Sequence, residues 1–455
     1  MKKNSVKDYE KMAIVNPGAA GIDVGSKSHF VCISESEDGT REFGCYTKDL
    51  QELCDWLIEN QIRTVALEST GSYFKPLLVL LQANGLNPIL VNGKYTKNVK
   101  GKKTDIMDCQ WIQKLHSLGM LEGSFIPDLF TETLRQYSRH RSSLIADASS
   151  YINKMQKALR MTNIRLDSAL ADIVGTSGIA IIESILKGER DPQKLASLAS
   201  GRIKKSKEEI ASALTGDWRE EYLFELKQSY QLYLFLQQKI SECDQQIGQL
   251  LDQKVEENEK QDGEARLEYS EHKKRMYQKN EIKIDVAKLS YQLSDGVDLS
   301  EIEGIGNGTL LALLSEVGSD MSAFPTAKHF ASWLHLSPNN KKTGGKVFSR
   351  RTQKGKNKLA DALRHAANGI GNKKDGSLNQ FFKRIAIKKG RVSAITATAR
   401  KLAVIIYNML TKNEAYKPLD QTLYQHKIRT NQIRNLQNKI NRLKVAPEEL
   451  SFSIV

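Results

Sequence analysis

Apolar positions change rhythm three times along this chain. Through residue 125 short strand-like runs interleave with runs of helical period. Ala19-Ala20-Gly21-Ile22-Asp23-Val24-Gly25 reads as a strand ending in a turn. His29 to Ser34 and Arg41 to Tyr46 flank the turn Glu37-Asp38-Gly39, which predicts a hairpin of antiparallel strands. Leu53, Trp56 and Leu57 share one face of a helix over Leu50 to Asn60. Arg63 to Glu68 follows as a strand, Lys75 to Ala83 as a helix and Pro88 to Val91 as a strand. The last helix of this part runs from Thr104 to Leu118, with the Thr104 hydroxyl placed to cap it.

Three early strands followed by helix and strand in alternation predict an RNase H-like α/β sheet for residues 1–125. A small Rossmann-like domain is the alternative, but no Gly-rich phosphate loop follows the first strand.

From residue 126 to 300 the rhythm is helical. Leu226, Tyr233, Ile240 and Ile247 recur every seven residues, as do Tyr222, Ser229, Leu236, Cys243 and Leu250. Such a ladder predicts a long coiled coil, or an amphipathic helix packed within its own chain. Asp252 to Lys283 is dense in charge and poor in apolar residues, so it either extends that helix into solvent or lacks fixed structure.

A third, mostly α-helical region spans 301–415. It opens on Glu303-Gly304-Ile305-Gly306-Asn307-Gly308-Thr309 ahead of the apolar run Leu310 to Val317. Glycines such as Gly304 and Gly306 at a helix start let backbone N–H groups approach a phosphate, as in helix-hairpin-helix DNA binders; a turn that merely caps a core helix looks the same. A basic tail, 416–455, follows.

Charge sharpens this picture. The net charge is +15, with a pI near 9.3. Between Asn339 and Lys401 there are 18 Lys or Arg against only Asp361 and Asp375, so one stretch accounts for the excess. A local field of that sign attracts a polyanion, and Lys341, Lys342, Lys346, Arg350, Arg351, Lys354, Lys356 and Lys358 are its candidate phosphate contacts. No apolar run is long enough to span a bilayer and no apolar signal core follows Met1, so a cytoplasmic protein without a membrane partner is expected. Five cysteines without CxxC pairs speak against a disulfide framework and against structural zinc.

Four acids are candidates for chemistry. In an RNase H-like sheet the first and fourth strands are neighbours, which would put Asp23 and Glu68 at one site. Asp105 and Asp108, three apart on a helix, share a face. Gathered carboxylates repel unless cations neutralise them, and hard oxygen ligands suit Mg²⁺. Two ions could clamp the attacking and leaving oxygens of a phosphodiester displacement. With 53 acidic residues in the chain, chance placement on the surface is the competing explanation.

The residues around these acids add a further argument. Gly21-Ile22-Asp23-Val24-Gly25-Ser26-Lys27, Leu67-Glu68-Ser69-Thr70-Gly71-Ser72-Tyr73 and Lys102-Lys103-Thr104-Asp105-Ile106-Met107-Asp108-Cys109 resemble the RuvC-like domain of the DEDD transposases of bacterial insertion sequences, a family that includes Piv-type invertases and bridge-RNA-guided recombinases. Ile302-Glu303-Gly304-Ile305-Gly306, Leu336-Ser337-Pro338, Thr343-Gly344-Gly345-Lys346 and Gln353-Lys354-Gly355 resemble the family's C-terminal transposase domain.

The resemblance implies that Asp23, Glu68, Asp105 and Asp108 bind two Mg²⁺ ions. It implies that a hydroxyl of the C-terminal domain attacks a DNA phosphate, at a composite site built by different subunits of a dimer or tetramer. It also implies donor and target DNA as substrates, a structured non-coding guide RNA as partner, and a coiled coil for dimerisation. The family's nucleophile is a serine before a small pair, and this chain has Thr343 there, with Ser349 as a second candidate. The rival readings are a hydrolytic nuclease for branched DNA that uses only the four carboxylates, and a non-catalytic nucleic-acid-binding derivative.

Overall fold

The computed structural model describes residues 12–34, 36–68, 71–93, 104–262, 267–269, 280–349, 351–418 and 421–443. The chain divides into two compact units, Met1–Ile126 and Pro127–Val455.

β1 (Ala19–Val24) is the central strand of a five-stranded sheet of order β3-β2-β1-β4-β5. β2 (Ser28–Cys32) and β3 (Thr40–Gly44) continue from it as an antiparallel meander. β4 (Thr64–Glu68) and β5 (Asn87–Val91) run parallel to β1. Parallel pairing needs crossover connections, which α1 (Thr47–Glu59) and α2 (Phe74–Ala83) provide. Side chains on a strand alternate between faces, and the alternation is clean here. Ile22, Val24, Val31, Val65 and Leu67 enter a core with Leu53 and Leu57 of α1 and Leu77 and Leu81 of α2. Ala66 and Val91 point the other way, onto Ile112 of α3 (Asp105–Ser117).

The second unit is helical apart from one hairpin among its described residues. α4 (Leu129–Met161) is met by α5 (Leu166–Ala169), α6 (Thr176–Leu186), α7 (Pro192–Ser197) and α8 (Lys207–Ala213) at its far end. α9 (Glu220–Asp262) then returns along it. The return is antiparallel: Lys254 Nζ lies 5.9 Å from the Phe130 ring centroid, Arg141 pairs with Asp244, and Tyr230 OH donates to Glu183 Oε1 at 2.6 Å. The heptad ladder is buried here. Leu226, Tyr233 and Ile240 join one core with Met155 and Leu159 of α4, and Ile247 is fully covered. Of the second column, Ser229 and Cys243 are buried while Tyr222, Leu236 and Leu250 are half-buried. The seam is therefore filled from within the chain. Of the charged stretch Asp252 to Lys283, α9 takes the part up to Asp262, and 263–266 and 270–279 lie outside the described residues.

Beyond it come α10 (Val286–Leu293), α11 (Asn307–Glu316) and α12 (Ala327–Trp333). The hairpin of β6 (Lys341–Thr343) and β7 (Lys346–Ser349) follows. α13 (Lys358–Asn372), α14 (Ser377–Lys389), α15 (Arg391–Lys412) and α16 (Gln421–Leu443) complete the chain. α11 is tied to α4 through Glu316, whose carboxylate accepts from Arg139 at 2.8 and 3.0 Å. No described helix is long and apolar enough to cross a membrane.

Candidate active site

The carboxyl ends of β1 and β4 and the amino end of α3 meet, brought there by close packing at Gly21 and by hydrogen bonds of Gln113 and His116. Gly21 lets α3 lie against β1: a β-carbon there would stand 2.2 Å from Gln113 N and 2.5 Å from Cys109 O. Gln113 Nε2 donates to Ala19 O at 3.2 Å and Ile33 O at 3.3 Å. One turn on, His116 Nε2 lies 2.9 Å from Thr64 Oγ1, and His116 O accepts from Asn16 Nδ2 at 2.7 Å. Residues 113 and 116 thus sit over the starts of β1 and β4, so α3 runs antiparallel to both. Its first turn reaches the strands' carboxyl ends. Thr104 caps that turn, its Oγ1 accepting from Met107 N at 3.2 Å. Asp105 and Asp108 belong to this turn, where exposed N–H groups favour negative charge.

Asp23 and Glu68 complete the group. Ile22 pairs with Leu67, so one step further along the same parallel register brings Asp23 beside Glu68. Both follow residues that enter the α1–α2 core, so both face the α3 side. Asp23, Glu68 and Asp108 are half-buried and Asp105 is exposed. Gly93, just past β5, lies against the Glu68 carboxylate; a β-carbon there would stand 2.1 Å from Oε1.

Beneath this end, Cys32 pairs with Gly21 across β1 and β2 and is buried, as is Cys109. The Cys109 thiol is pushed far above the ordinary range by its hydrogen bond with Cys32, then by burial and by the nearby charges of Cys32 and Asp23. Burial holds His116 below its usual value.

Among the described residues no three His, Cys, Asp or Glu side chains stand close enough together to hold a metal ion. Mg²⁺ seldom asks for such a cage. It commonly takes one or two carboxylates and completes its shell with waters and substrate phosphates. A pair of carboxylates on neighbouring strands, with glycine at position 93 to leave Glu68 room, fits that habit in donor type and number.

The remaining sequence-predicted residues lie in the second unit. Gly344 and Gly345 have φ of 55° and 76°, which makes a two-residue turn with both central residues left-handed, the hairpin type that demands glycine. Thr343 pairs with Lys346 across that turn and is exposed. Ser349 closes the other strand, its Oγ accepting from Arg351 N at 3.3 Å. Lys341, Lys346, Arg351, Lys354, Lys356 and Lys358 are exposed, while Arg350 and the Lys342 side chain lie outside the described residues. Gly304 has a packing reason for its identity: its φ is +85° and a β-carbon would stand 2.7 Å from Ile370 Cγ1. Gly306 caps α11.

Two family models match the chain. The IS110 DEDD model, described as a transposase, covers residues 20–164, and a model described as the IS116/IS110/IS902 transposase family covers 298–383. The chain belongs to the IS110 family of transposases. It is 32% identical over 130 residues to a pilin gene-inverting protein of Moraxella bovis, which is 28% of this chain and 39% of that protein. A Moraxella lacunata protein of the same description matches to the same extent. An IS110 insertion-element protein of Streptomyces coelicolor, described as uncharacterized, is 29% identical over 120 residues, 26% of this chain and 29% of that protein. The chain thus spans well under half the length of these relatives. The first IS110 match takes in all four carboxylates, and the second takes in Thr343 and most of the basic stretch.

Three features of the sites escaped the sequence reading. Gly93 and the Cys32–Cys109 contact depend on segments far apart in sequence, and nothing local signals them. The β6–β7 hairpin did carry a signal: a Gly-Gly pair between Lys341-Lys342-Thr343 and Lys346-Val347-Phe348-Ser349.

Proposed function

We propose that this chain is a DNA transposase or recombinase of the insertion-sequence type, with an RNase H-like (RuvC-like) first unit that acts on a phosphodiester. The observation that supports the reading best is the strand order 3-2-1-4-5, whose parallel β1 and β4 end in Asp23 and Glu68, with Asp105 and Asp108 in the first turn of α3. Asp23 and Glu68 would hold Mg²⁺, with water and phosphate oxygens completing its shell and Asp105 and Asp108 adding negative charge nearby. The bound cation would supply Lewis-acid stabilisation of charge on the phosphate oxygens. Thr343 Oγ1 would attack phosphorus, one deoxyribose oxygen would leave, and the hydroxyl proton would pass to that oxygen. One ester bond is exchanged for another, so rejoining needs no outside energy source. The basic stretch 339–401 supports binding of donor and target DNA, and of a structured guide RNA by the same charge chemistry.

The test is a denaturing gel of the full chain incubated with Mg²⁺ and DNA carrying the element's ends. A protein–DNA adduct that survives boiling in detergent but not protease is expected, absent in Thr343→Ala and present in Thr343→Ser. Cleavage without any adduct would overturn the covalent step in favour of hydrolysis. An adduct retained in Thr343→Ala would move the role to Ser349.

A further inference from the structure

We infer that Phe348 is a stacking platform for an unpaired DNA base beside the phosphate presented to Thr343. The inference rests on the DNA-acting reading above and adds a contact that neither the charge nor the carboxylates require. Lys342 pairs with Val347 and Lys341 with Ser349, so Phe348 is the extra residue of a β-bulge. A bulge re-aims the side chain it carries. This one is 85% exposed, on a strand too short to have a hydrophobic face.

The surroundings select the occupant. From Asn339 to Ala360 the chain has no acidic residue, and Lys341, Lys346, Arg351 and Lys354 all stand in solvent. An apolar protein partner would have to bury those ammonium and guanidinium groups at a cost. A nucleic-acid strand uses both features: its phosphates take the cations and the face of a base takes the ring, whatever the base. Along β7 Phe348 is two residues beyond Lys346, the partner of Thr343, which is about 7 Å at strand spacing. A base one nucleotide from the attacked phosphate falls within that reach. Only an unstacked base offers its face, so the platform favours strands already opened.

The experiment uses the full chain and a fluorescein-labelled single-stranded oligodeoxynucleotide containing 2-aminopurine. Binding is read by anisotropy at several salt concentrations, stacking by quenching of the 2-aminopurine. The parent should quench. Phe348→Ala should lose the quenching and weaken binding by about 5- to 150-fold, with an unchanged salt slope and an unchanged melting temperature. Phe348→Tyr and Phe348→Trp should restore both signals. Lys346→Ala should keep the quenching and lower the slope by roughly 0.7, the value for one phosphate on a single strand. Unchanged quenching and affinity in Phe348→Ala, or no rescue by Tyr and Trp, overturns the inference while leaving the DNA-acting reading intact. A parent protein that binds no DNA overturns both.

Discussion

Gly93 sits so close against Glu68 that any side chain at position 93 would occupy the space of the Glu68 carboxylate. The backbone of Gly93 is not left-handed, so alanine is tolerated there by the main chain and the whole conflict falls on Glu68. Gly93→Ala should therefore fold with nearly the parent's melting temperature. On the proposed role of Glu68 in holding Mg²⁺, the Mg²⁺ needed for half-maximal strand cleavage should rise by about 10- to 100-fold, the usual effect of disturbing a ligand's support. A titration of cleavage against Mg²⁺ checks this, and an unchanged midpoint would remove Glu68 from the metal site.

Asp23→Asn and Asp105→Asn separate activity from folding. Neutralising one member of a like-charged group relieves repulsion in the ion-free protein, so stability should hold or rise. Cleavage should fall by at least about 100-fold. Thermal unfolding and a cleavage assay on the same preparations give both numbers, and full activity in both variants would refute the carboxylate assignment.

The ladder on α9 leads to an expectation about stability. Ile240 packs in the core shared by α4 and α9, so Ile240→Asp places an unpaired charge inside the monomer and should cost about 3 kcal/mol or more. Urea unfolding should show the loss. Dissociation in sedimentation with an unchanged unfolding midpoint would instead mean that the seam faces a second chain. Asp244→Asn should cost a similar amount because it strands Arg141, which is buried with it.

His116 predicts a pH dependence. Burial lowers its folded value below 6.5, so as the pH falls from 6.5 the unfolded chain takes up the proton first. Stability is therefore complete above pH 6.5 and declines below it, until the pH reaches the lowered folded value. One such group contributes at most about 1.4 kcal/mol per pH unit. His29 shifts the same way for the same reason, so His116→Gln should flatten only part of the decline. Denaturant melts at pH 7.0 and 5.5 would reveal it; an identical decline in the variant would exclude His116 as a contributor.

Much of the first unit was legible because its elements are short and each carries a local signal. The alternation of Ala20, Ile22 and Val24 with Gly21 and Asp23 places the acid on the face away from the α1–α2 core, and Thr104 marks the start of α3. The ladder from Tyr222 to Leu250 was equally legible as a helix. Its partner was not, because a seven-residue repeat describes a buried stripe and is silent about which helix covers it. Arg141 and Asp244 are 103 residues apart, and no periodicity reaches that far. Gly93 shows the same limit at the site, since only tertiary contact reveals what a missing side chain makes room for.

The left-handed turn at Gly344 and Gly345 bears on how mutational tolerance should be interpreted. Neither residue has a neighbouring atom within 4 Å of a would-be β-carbon, yet both occupy backbone angles that other residues rarely adopt. A saturation screen would therefore score the pair as intolerant even in a protein stripped of all chemistry. Intolerance there reports hairpin geometry. Thr343 is under no such backbone constraint, so the spectrum of residues accepted at position 343 is a signal in this loop that can test the proposed attack by its hydroxyl.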